Sequence, residues 1–236
     1  MQRVKFRDMG IIDYKTAWDY QEELLQANVV LKSEARKMEA APDALSIATQ
    51  HHFLFCEHNP VFTLGKSGDI SNVLINESEM ARQQIQFFKT NRGGDITFHG
   101  PQQVVGYPIL DLEKMYTDIG RYLRNLEEVI IRVLRAYGIE GGRSAGETGV
   151  WLDAGVPGKE RKICAIGVRC SRWITMHGFA LNVNTDLDYF SHIVPCGIKD
   201  KQVTSIEKEL GRKVDFEEVK LKIKQQFAIV FEIEID

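Results

Sequence analysis

The chain has 236 residues, 44% of them hydrophobic and 27% charged, and its formal net charge at pH 7 is -3. This composition is typical of a globular protein, and no apolar run approaches the roughly 20 residues of a membrane-spanning helix. The N-terminal stretch MQRVKFRDMGIID lacks the apolar core of a signal peptide, so we expect a cytoplasmic protein that does not enter a membrane. The slightly acidic balance argues against nucleic-acid binding, which usually needs a basic surface.

The first half of the chain alternates strand-like and helix-like patterns. A strand is predicted over residues 4–12, followed by a long helix over 13–40 with Asp13 as its N-cap. The stretch HHFLFCEHNPVFTLG predicts two short strands joined at Asn59-Pro60. Further strands are predicted in QFFKT, DITFH and QVVGYPILDL.

The second half begins with the clearest helix pattern. Apolar residues recur at helical spacing over 119–137, between an N-cap at Asp118 and a terminating Gly138. KICAIGVRC and WITMHGFALNVN predict two longer strands, a capping box at Asp215 opens a last helix, and IVFEIEI predicts a closing strand. This order predicts an α/β (α+β) fold, with one domain over 1–236 built on a mixed β-sheet flanked by helices.

The cysteines predict neither a disulfide framework nor a metal site. The four are Cys56, Cys164, Cys170 and Cys196. They are sparse, no pair has C-x-x-C spacing, and a cytosolic chain keeps its thiols reduced. The His- and Cys-rich run HHFLFCEH has the composition of a metal site, but it reads as an apolar strand, in which successive side chains point to opposite faces. We therefore predict no metal.

Two glycine-rich stretches have patterns that are typical of tight turns. In NRGGDITFHGPQQVV, Gly93 and Gly94 permit a tight turn and a close approach to a ligand, but a glycine pair before a strand is by itself more typical of a hairpin. In GGRSAGETG, Gly141 and Gly146 have the spacing of a phosphate loop. Glu147 stands where that loop needs lysine, and a carboxylate would repel phosphate, so no nucleotide site is predicted.

Cys196 lies in a Pro-Cys-Gly turn within HIVPCGI. Such a turn can expose a nucleophile or bury a small thiol, and the turn alone favours the buried thiol. Two kinds of activator are available in the sequence. One is His192, four residues earlier, and the other is a lysine brought near by folding, such as Lys162.

Several motifs together resemble the lipoyl(octanoyl) transferase family. RGGDITFHGPQQVVGYPILDL is similar to the signature of that family. CEHNPVFTLGKSG, GVWL, RKICAIGVR, WITMHGFALNVN, IVPCGI and VTSIEKELG follow in the family's order and spacing. The resemblance runs from about residue 11 to residue 211, and it implies the biotin/lipoyl protein ligase type of fold.

The resemblance also implies which residues act. Cys196 matches the cysteine that carries the acyl group as a thioester, and Lys162 matches the lysine that is its acid–base partner. The acyl pocket is implied to involve Arg92, Gly93, Gly94, Asp95, Ile96, Thr97, Phe98, His99, Ala165, Ile166, Gly167, Gly178, Phe179 and Ala180. We expect small residues such as Gly167 and Gly178 to leave room for the alkyl chain.

The implied function is transfer of octanoyl from octanoyl-acyl carrier protein to a lysine of lipoyl domains, in lipoate biosynthesis and protein lipoylation. The acceptors would be the lipoyl domains of 2-oxoacid dehydrogenase complexes and the glycine cleavage H protein. No cofactor is expected, because the donor thioester already carries the energy for amide formation. The rival interpretations are an ATP-dependent lipoate ligase of the same fold, an inactive module that binds carrier proteins, and a cysteine hydrolase using His192.

Both protein partners are expected to be acidic, and one part of the chain carries the opposite charge. Residues 158–201 contain seven Lys or Arg against four Asp or Glu, although the whole chain has a net charge of -3. We expect this basic region to assist docking of the carrier.

Overall fold

The computed structural model describes residues 1–38, 48–194 and 202–236. Its first elements are β1 (Gln2–Ile11), α1 (Tyr14–Met38), β2 (His51–Glu57), β3 (Val61–Leu64), α2 (Glu77–Arg82), β4 (Gln86–Lys89), β5 (Ile96–His99) and β6 (Gln103–Ile109). They are followed by α3 (Ile119–Arg135), β7 (Val150–Leu152), β8 (Arg161–Ser171), β9 (Ile174–Asn182), β10 (Gln202–Val203), α4 (Ile206–Leu210), α5 (Phe216–Phe231) and β11 (Ile233–Ile235). No helix in these ranges is long and apolar enough to cross a lipid bilayer.

The predicted helix caps are confirmed. The carboxylate of Asp13 accepts the Thr16 N–H, which begins α1, and that of Asp118 accepts the Arg121 N–H at the start of α3. Asp215 accepts two backbone N–H groups at the start of α5. Each cap satisfies a donor that the first helical turn leaves unpaired, which explains why an acidic residue precedes each apolar repeat.

Within the described ranges, eight strands form one mixed sheet in the order β10-β8-β9-β6-β2-β1-β11, with β7 beside β8. β1 runs parallel to β2 and β11, and β8 runs parallel to β10. The remaining pairs are antiparallel, including the long hairpin of β8 and β9. Arg172 and Trp173 close that hairpin with positive φ values of 50° and 65°, as a tight type I′ turn requires. The predicted mixed sheet is therefore confirmed.

Helices cover both faces of this sheet. The β2 run is apolar at consecutive positions, so Phe53 and Phe55 face one side while Leu54 and Cys56 face the other. α3 and α5 pack on the first face, where the Phe227 ring stacks on Phe53 with centroids 4.0 Å apart. α1 packs on the second face. This arrangement explains why β2 carries no polar side to face water.

The glycine pair does not close a hairpin, contrary to the prediction from those residues alone. β4 and β5 both pair with β3, which lies between them in a separate three-stranded sheet. Gly93 instead brings its segment against the large sheet, donating its N–H to the carbonyl oxygen of Val168 at 2.9 Å. The pairing partner of a short strand depends on contacts distant in sequence, which a local glycine signal does not report.

The closing strand is shorter than predicted. Only Ile233–Ile235 form β11, and the first three residues of IVFEIEI complete α5. The reason is a helical stripe that continues past them: Val219, Ile223, Phe227 and Phe231 are buried at intervals of four. Glu232, with φ of 55°, then ends the helix in a left-handed conformation.

Candidate active site

A pocket of about 380 Å³ lies between β5, β6, β8 and β9, and Lys162 is part of its wall. Twelve of the fourteen predicted acyl-pocket residues line it: Arg92, Gly94, Asp95, Ile96, Thr97, His99, Ala165, Ile166, Gly167, Gly178, Phe179 and Ala180. The pairing of β8 with β9 brings residues 165–167 and 178–180 together, since Ala165 is opposite Ala180 and Gly167 is opposite Gly178. Segments far apart in sequence therefore meet at one site.

The other two predicted residues, Gly93 and Phe98, are not among the lining residues. Phe98 is buried in the smaller core beneath β3 and β5, where its ring stacks on Tyr189 with centroids 4.6 Å apart. Gly93 contributes through its backbone, because its hydrogen bond to Val168 holds the neighbouring Arg92 and Gly94 against β8.

The two glycines expected to make room for an alkyl chain also lie in close contact with neighbouring backbone. A methyl group on Gly167 would lie 2.9 Å from the carbonyl oxygen of Gly93, and one on Gly178 would collide with the carbonyl oxygen of Gly106. Both positions therefore let two backbone segments approach closely. Both glycines also line the pocket together with Ala165 and Ala180, so the room that they leave for an alkyl chain stays a prediction.

Arg92 builds the pocket wall by bonding to the chain around it. Its buried guanidinium donates from Nη2 to the Thr63 hydroxyl at 2.9 Å and from Nη1 to the Gly93 carbonyl at 3.0 Å. A further bond runs from Nη2 to the Thr63 carbonyl. These bonds join β3 to the glycine segment that crosses β8, so the cation fixes the shape of this wall.

Three buried histidines lie at and behind the pocket wall, and their hydrogen bonds assign their tautomers. His99 donates from Nδ1 to the Gln103 carbonyl oxygen Oε1 at 2.9 Å, and His177 donates from Nε2 to Asn91 Oδ1 at 2.7 Å. His58 accepts at Nε2 from the Tyr107 hydroxyl at 2.8 Å. Burial lowers the pKa of His58 to about 4 and that of His177 to about 3, and it holds the pKa of His99 well below its usual value. All three are therefore neutral at pH 7.

We expect the buried histidines to make the fold acid-sensitive. An unfolded histidine has a pKa near 6.5, so between about pH 6.5 and 4 the unfolded chain binds more protons than the folded one. The free energy of unfolding should fall as the pH drops from about 6.5 towards 4, and His58 should account for part of the fall. Ring NMR signals of His58 and His177 should not titrate above about pH 5. Titration of either ring near pH 6.5 would contradict this assignment.

Lys162 lies between two neighbouring strands at the edge of the pocket. Trp151 of β7 pairs with it on one side and Val203 of β10 on the other. Lys162 Nζ lies 4.5 Å from the centroid of the Trp151 ring, within the range of a cation–π contact. The loop residues Gly146, Glu147 and Thr148 complete the wall at this point. The half-buried Lys162 side chain is thus held in the wall of the pocket.

Cys196, the predicted nucleophile, lies outside the described residues, so its proximity to Lys162 stays a prediction. The described residues on either side of that segment do reach the pocket: Phe190 precedes it, Val203 follows it, and both line the wall. His192, the rival activator, is not among the described lining residues, and its Nε2 contacts Gln83 Oε1 at 3.2 Å.

The pocket also contains polar residues that the sequence patterns did not indicate. They include Tyr14, Gln103, Tyr107, His177 and Asn182. One signal was available, because Gln103, Val105 and Tyr107 share a face of β6 with strand periodicity, and the strand follows His99 closely. Tyr14 carries no such signal: α1 brings it to the pocket by tertiary packing, where its ring stacks on His99 with centroids 5.9 Å apart.

Part of the basic excess over residues 158–201 is neutralised by the protein itself. Arg161 pairs with Glu209 at 2.7 Å and with Asp153, and Arg169 pairs with Glu22 at 2.6 Å. The paired carboxylates raise the pKa of Arg161 above its usual value. The charge available for docking an acidic partner is therefore smaller than the sequence count indicates.

Comparison with known proteins agrees with the resemblance carried by the motifs. Residues 13–228 match the family model of the lipoyl protein ligase A/B catalytic domain. The octanoyltransferase of Flavobacterium johnsoniae is 56% identical over 235 residues, covering 99% of each chain. That of Cytophaga hutchinsonii is 49% identical over 233 residues, covering 99% of this chain and 94% of its own. The chain belongs to the lipoyl protein ligase A/B catalytic family, in its octanoyltransferase branch. It is an enzyme, and its class is acyltransferase.

Solved structures with low sequence identity confirm the predicted type of fold. A lipoate-protein ligase A bound with ATP has a TM-score of 0.68 at 14% identity, over 100% of this chain and 87% of its own. A bipartite lipoate protein ligase from Thermoplasma acidophilum has a TM-score of 0.67 at 16% identity, over 100% and 85%. A biotin protein ligase mutant from Aquifex aeolicus has a TM-score of 0.51 at 13% identity, over 97% and 70%.

Proposed function

We propose that this enzyme transfers octanoyl from octanoyl-acyl carrier protein to a lysine of lipoyl domains, with Cys196 as nucleophile and Lys162 as acid and base. The acceptors are those of 2-oxoacid dehydrogenase complexes and the glycine cleavage H protein. The observation that carries the proposal is one pocket that brings Lys162 together with twelve residues matched to the family's acyl site. The relatives named octanoyltransferase support the acyl group, and the structural neighbour solved as a lipoylation system with its lipoyl domain supports the acceptor class.

In the first half-reaction, Lys162 takes the proton from the Cys196 thiol, and the thiolate attacks the carbonyl carbon of the donor thioester. The bond from that carbon to the phosphopantetheine sulfur breaks. The Lys162 ammonium then returns its proton to the departing sulfur. One thioester replaces another, so this step is close to thermoneutral.

In the second half-reaction, the acceptor lysine attacks the Cys196 thioester as a free amine. Lys162 accepts the proton that the amine loses as the carbon–nitrogen bond forms. The bond from the carbonyl carbon to the Cys196 sulfur breaks, and Lys162 passes the proton to that sulfur, which restores the thiol. An amide replaces a thioester, so this step runs downhill. The octanoyl chain stays in the pocket throughout, held by burial of its methylene groups at about 0.8 kcal/mol each.

We expect transfer to proceed without ATP or magnesium. The thioester supplies the energy, and Glu147, at the position where a phosphate loop has lysine, lines the pocket beside Lys162 and would repel a phosphate there. Purified enzyme, octanoyl-acyl carrier protein and a lipoyl domain should give octanoylated lysine at the same rate with chelator as with added ATP and magnesium. A requirement for ATP with the thioester donor would support the ligase interpretation, since the fold is shared with a ligase that binds ATP.

The cysteine hydrolase interpretation predicts a different product in the same assay. It needs the octanoyl-enzyme to react with water, with His192 as the base. Because the His192 ring contacts Gln83 and is not among the described lining residues, the geometry favours transfer assisted by Lys162. Release of free octanoate in preference to octanoyl-lysine, when the acceptor is present, would support hydrolysis.

A further inference from the structure

Glu127 is a carboxylate buried inside the apolar face of α3, with an exposed fraction of 0%. A charge in such a place is stable only when several donors surround it. Its Oε1 accepts the Gly149 N–H at 3.1 Å, and its Oε2 accepts Arg143 Nε at 3.0 Å and Arg124 Nη1 at 2.6 Å. Two of the three donors come from the loop that follows α3, and not from the helix itself.

The two donors from the loop, Arg143 and Gly149, are the two ends of the segment over residues 143–149. Arg143 is further held at Nη2 by Glu128 Oε2 at 2.9 Å and by the Arg124 carbonyl at 3.2 Å. Gly149 has a φ of 123°, and a methyl group there would lie 2.6 Å from the Cys164 carbonyl oxygen and 3.6 Å from Lys162 Cε. The far end of the loop therefore lies directly against the strand that carries Lys162.

The middle of the same loop is part of the active site. Gly146, Glu147 and Thr148 line the same pocket as Lys162, whereas Glu127 is not among the lining residues. A carboxylate that binds both ends of a short loop fixes where the middle of the loop lies. Hydrogen bonds to a buried carboxylate hold a loop more rigidly than bonds to exposed side chains would, so the pocket wall formed by this loop is held rigidly too.

We infer that Glu127 is a positioning residue of this enzyme: it clamps the loop over 143–149 at both ends, so that the loop forms the pocket wall beside Lys162. The inference rests on the proposed function, in which Lys162 moves the protons. Glu127 acts through Gly149 and Arg143 and touches no substrate.

Two variants test the clamp from its two sides. Glu127→Gln keeps the shape and the oxygen that accepts the Gly149 N–H, but it loses the charge that holds Arg143. Arg143→Met removes the ion pair with Glu127 from the loop end. The Arg143 side chain is partly exposed, so this change is expected to leave the fold intact. Each variant should lower kcat for octanoyl transfer by about tenfold or more, with KM for octanoyl-acyl carrier protein changing less than about threefold, because misplaced catalytic groups reduce turnover more than binding.

The matched control is Arg132→Met. Arg132 pairs with Glu128 at 2.9 Å, as Arg143 does, but it does not share Glu127 with the loop. This variant should keep kcat within about twofold. Amide hydrogen exchange over residues 144–149 should quicken by about tenfold in Glu127→Gln and Arg143→Met, while exchange in β6 and β9 stays unchanged.

Hydrogen exchange tests the clamp by Glu127, and transfer kinetics test the proposed function. Wild-type protein that transfers no octanoyl would refute the proposed function, and loop exchange would still test the clamp. Unchanged loop exchange in both variants, or faster loop exchange with wild-type kcat, would overturn the inference. It would also be overturned if exchange quickened equally in β6 and β9, because Glu127 would then support the whole fold. If Glu127→Gln does not fold, Arg143→Met decides the result.

Discussion

Cys196→Ala is expected to abolish octanoyl transfer, with a loss of at least about a thousandfold in kcat, while the fold survives. The proposed nucleophile supplies the sulfur that carries the acyl group, and alanine offers no atom to replace it. Cys196→Ser should be nearly as inactive, because a hydroxyl is a far weaker nucleophile than a thiolate at neutral pH. Steady-state transfer, with circular dichroism to verify folding, measures both effects.

The other cysteines provide matched controls. Cys56 and Cys164 are buried, Cys170 is half-buried, and burial raises the pKa of all three thiols, so they remain protonated at neutral pH. Alanine at each should keep kcat within a few fold. The largest structural effect is expected for the fully buried Cys164. Near-normal turnover by Cys196→Ala would refute the covalent mechanism.

Lys162→Arg and Lys162→Ala are both expected to be nearly inactive, with kcat reduced by about a hundredfold or more. Arginine can stack on the Trp151 ring as the ammonium does, so Lys162→Arg keeps a cation at the same place. It cannot release a proton at accessible pH, and it therefore removes the acid–base step alone. The exposed Lys159, three residues earlier in the turn, provides the control, since Lys159→Ala should be close to normal.

The contrast between the two Lys162 variants distinguishes proton transfer from simple charge. If only the positive charge mattered, Lys162→Arg would retain substantial turnover and the Cys196 thiol would still be alkylated rapidly by iodoacetamide. Wild-type activity in Lys162→Ala would show that another group, such as His192 or His99, activates the thiol. His99 is an unpromising base in this fold, because both of its ring nitrogens are occupied by Gln103 and Thr63.

The parts of the fold that follow from local patterns were predictable. The apolar repeat of α3 between Asp118 and Gly138 specifies a helix with both ends marked, and the unbroken apolar run of β2 specifies a strand buried on both faces. The division of the strands into two sheets was not predictable. It depends on β3 pairing with β4 and β5, which are short strands with no local mark of their partners.

In the candidate site, too, contacts between segments distant in sequence could not be predicted from local patterns. Motif resemblance located the lining residues, but it could not show that Gly167 and Gly178 serve contacts between backbones, because those contacts come from segments distant in sequence. Glu127 was equally hidden, since it interrupts an apolar helix face without any motif around it. The role of Glu127 depends on the contacts that Arg143 and Gly149 of the following loop make with it, and these contacts are visible only in the structure.

The most direct test of the central claim is the intact mass of the protein after mixing with octanoyl-acyl carrier protein in the absence of acceptor. We expect the mass of one octanoyl group to be added, to be mapped to Cys196 by peptide analysis, and to disappear on addition of a lipoyl domain as its lysine becomes octanoylated. An acceptor that is octanoylated while the enzyme never gains the group, or a group found only on another residue, would contradict the account.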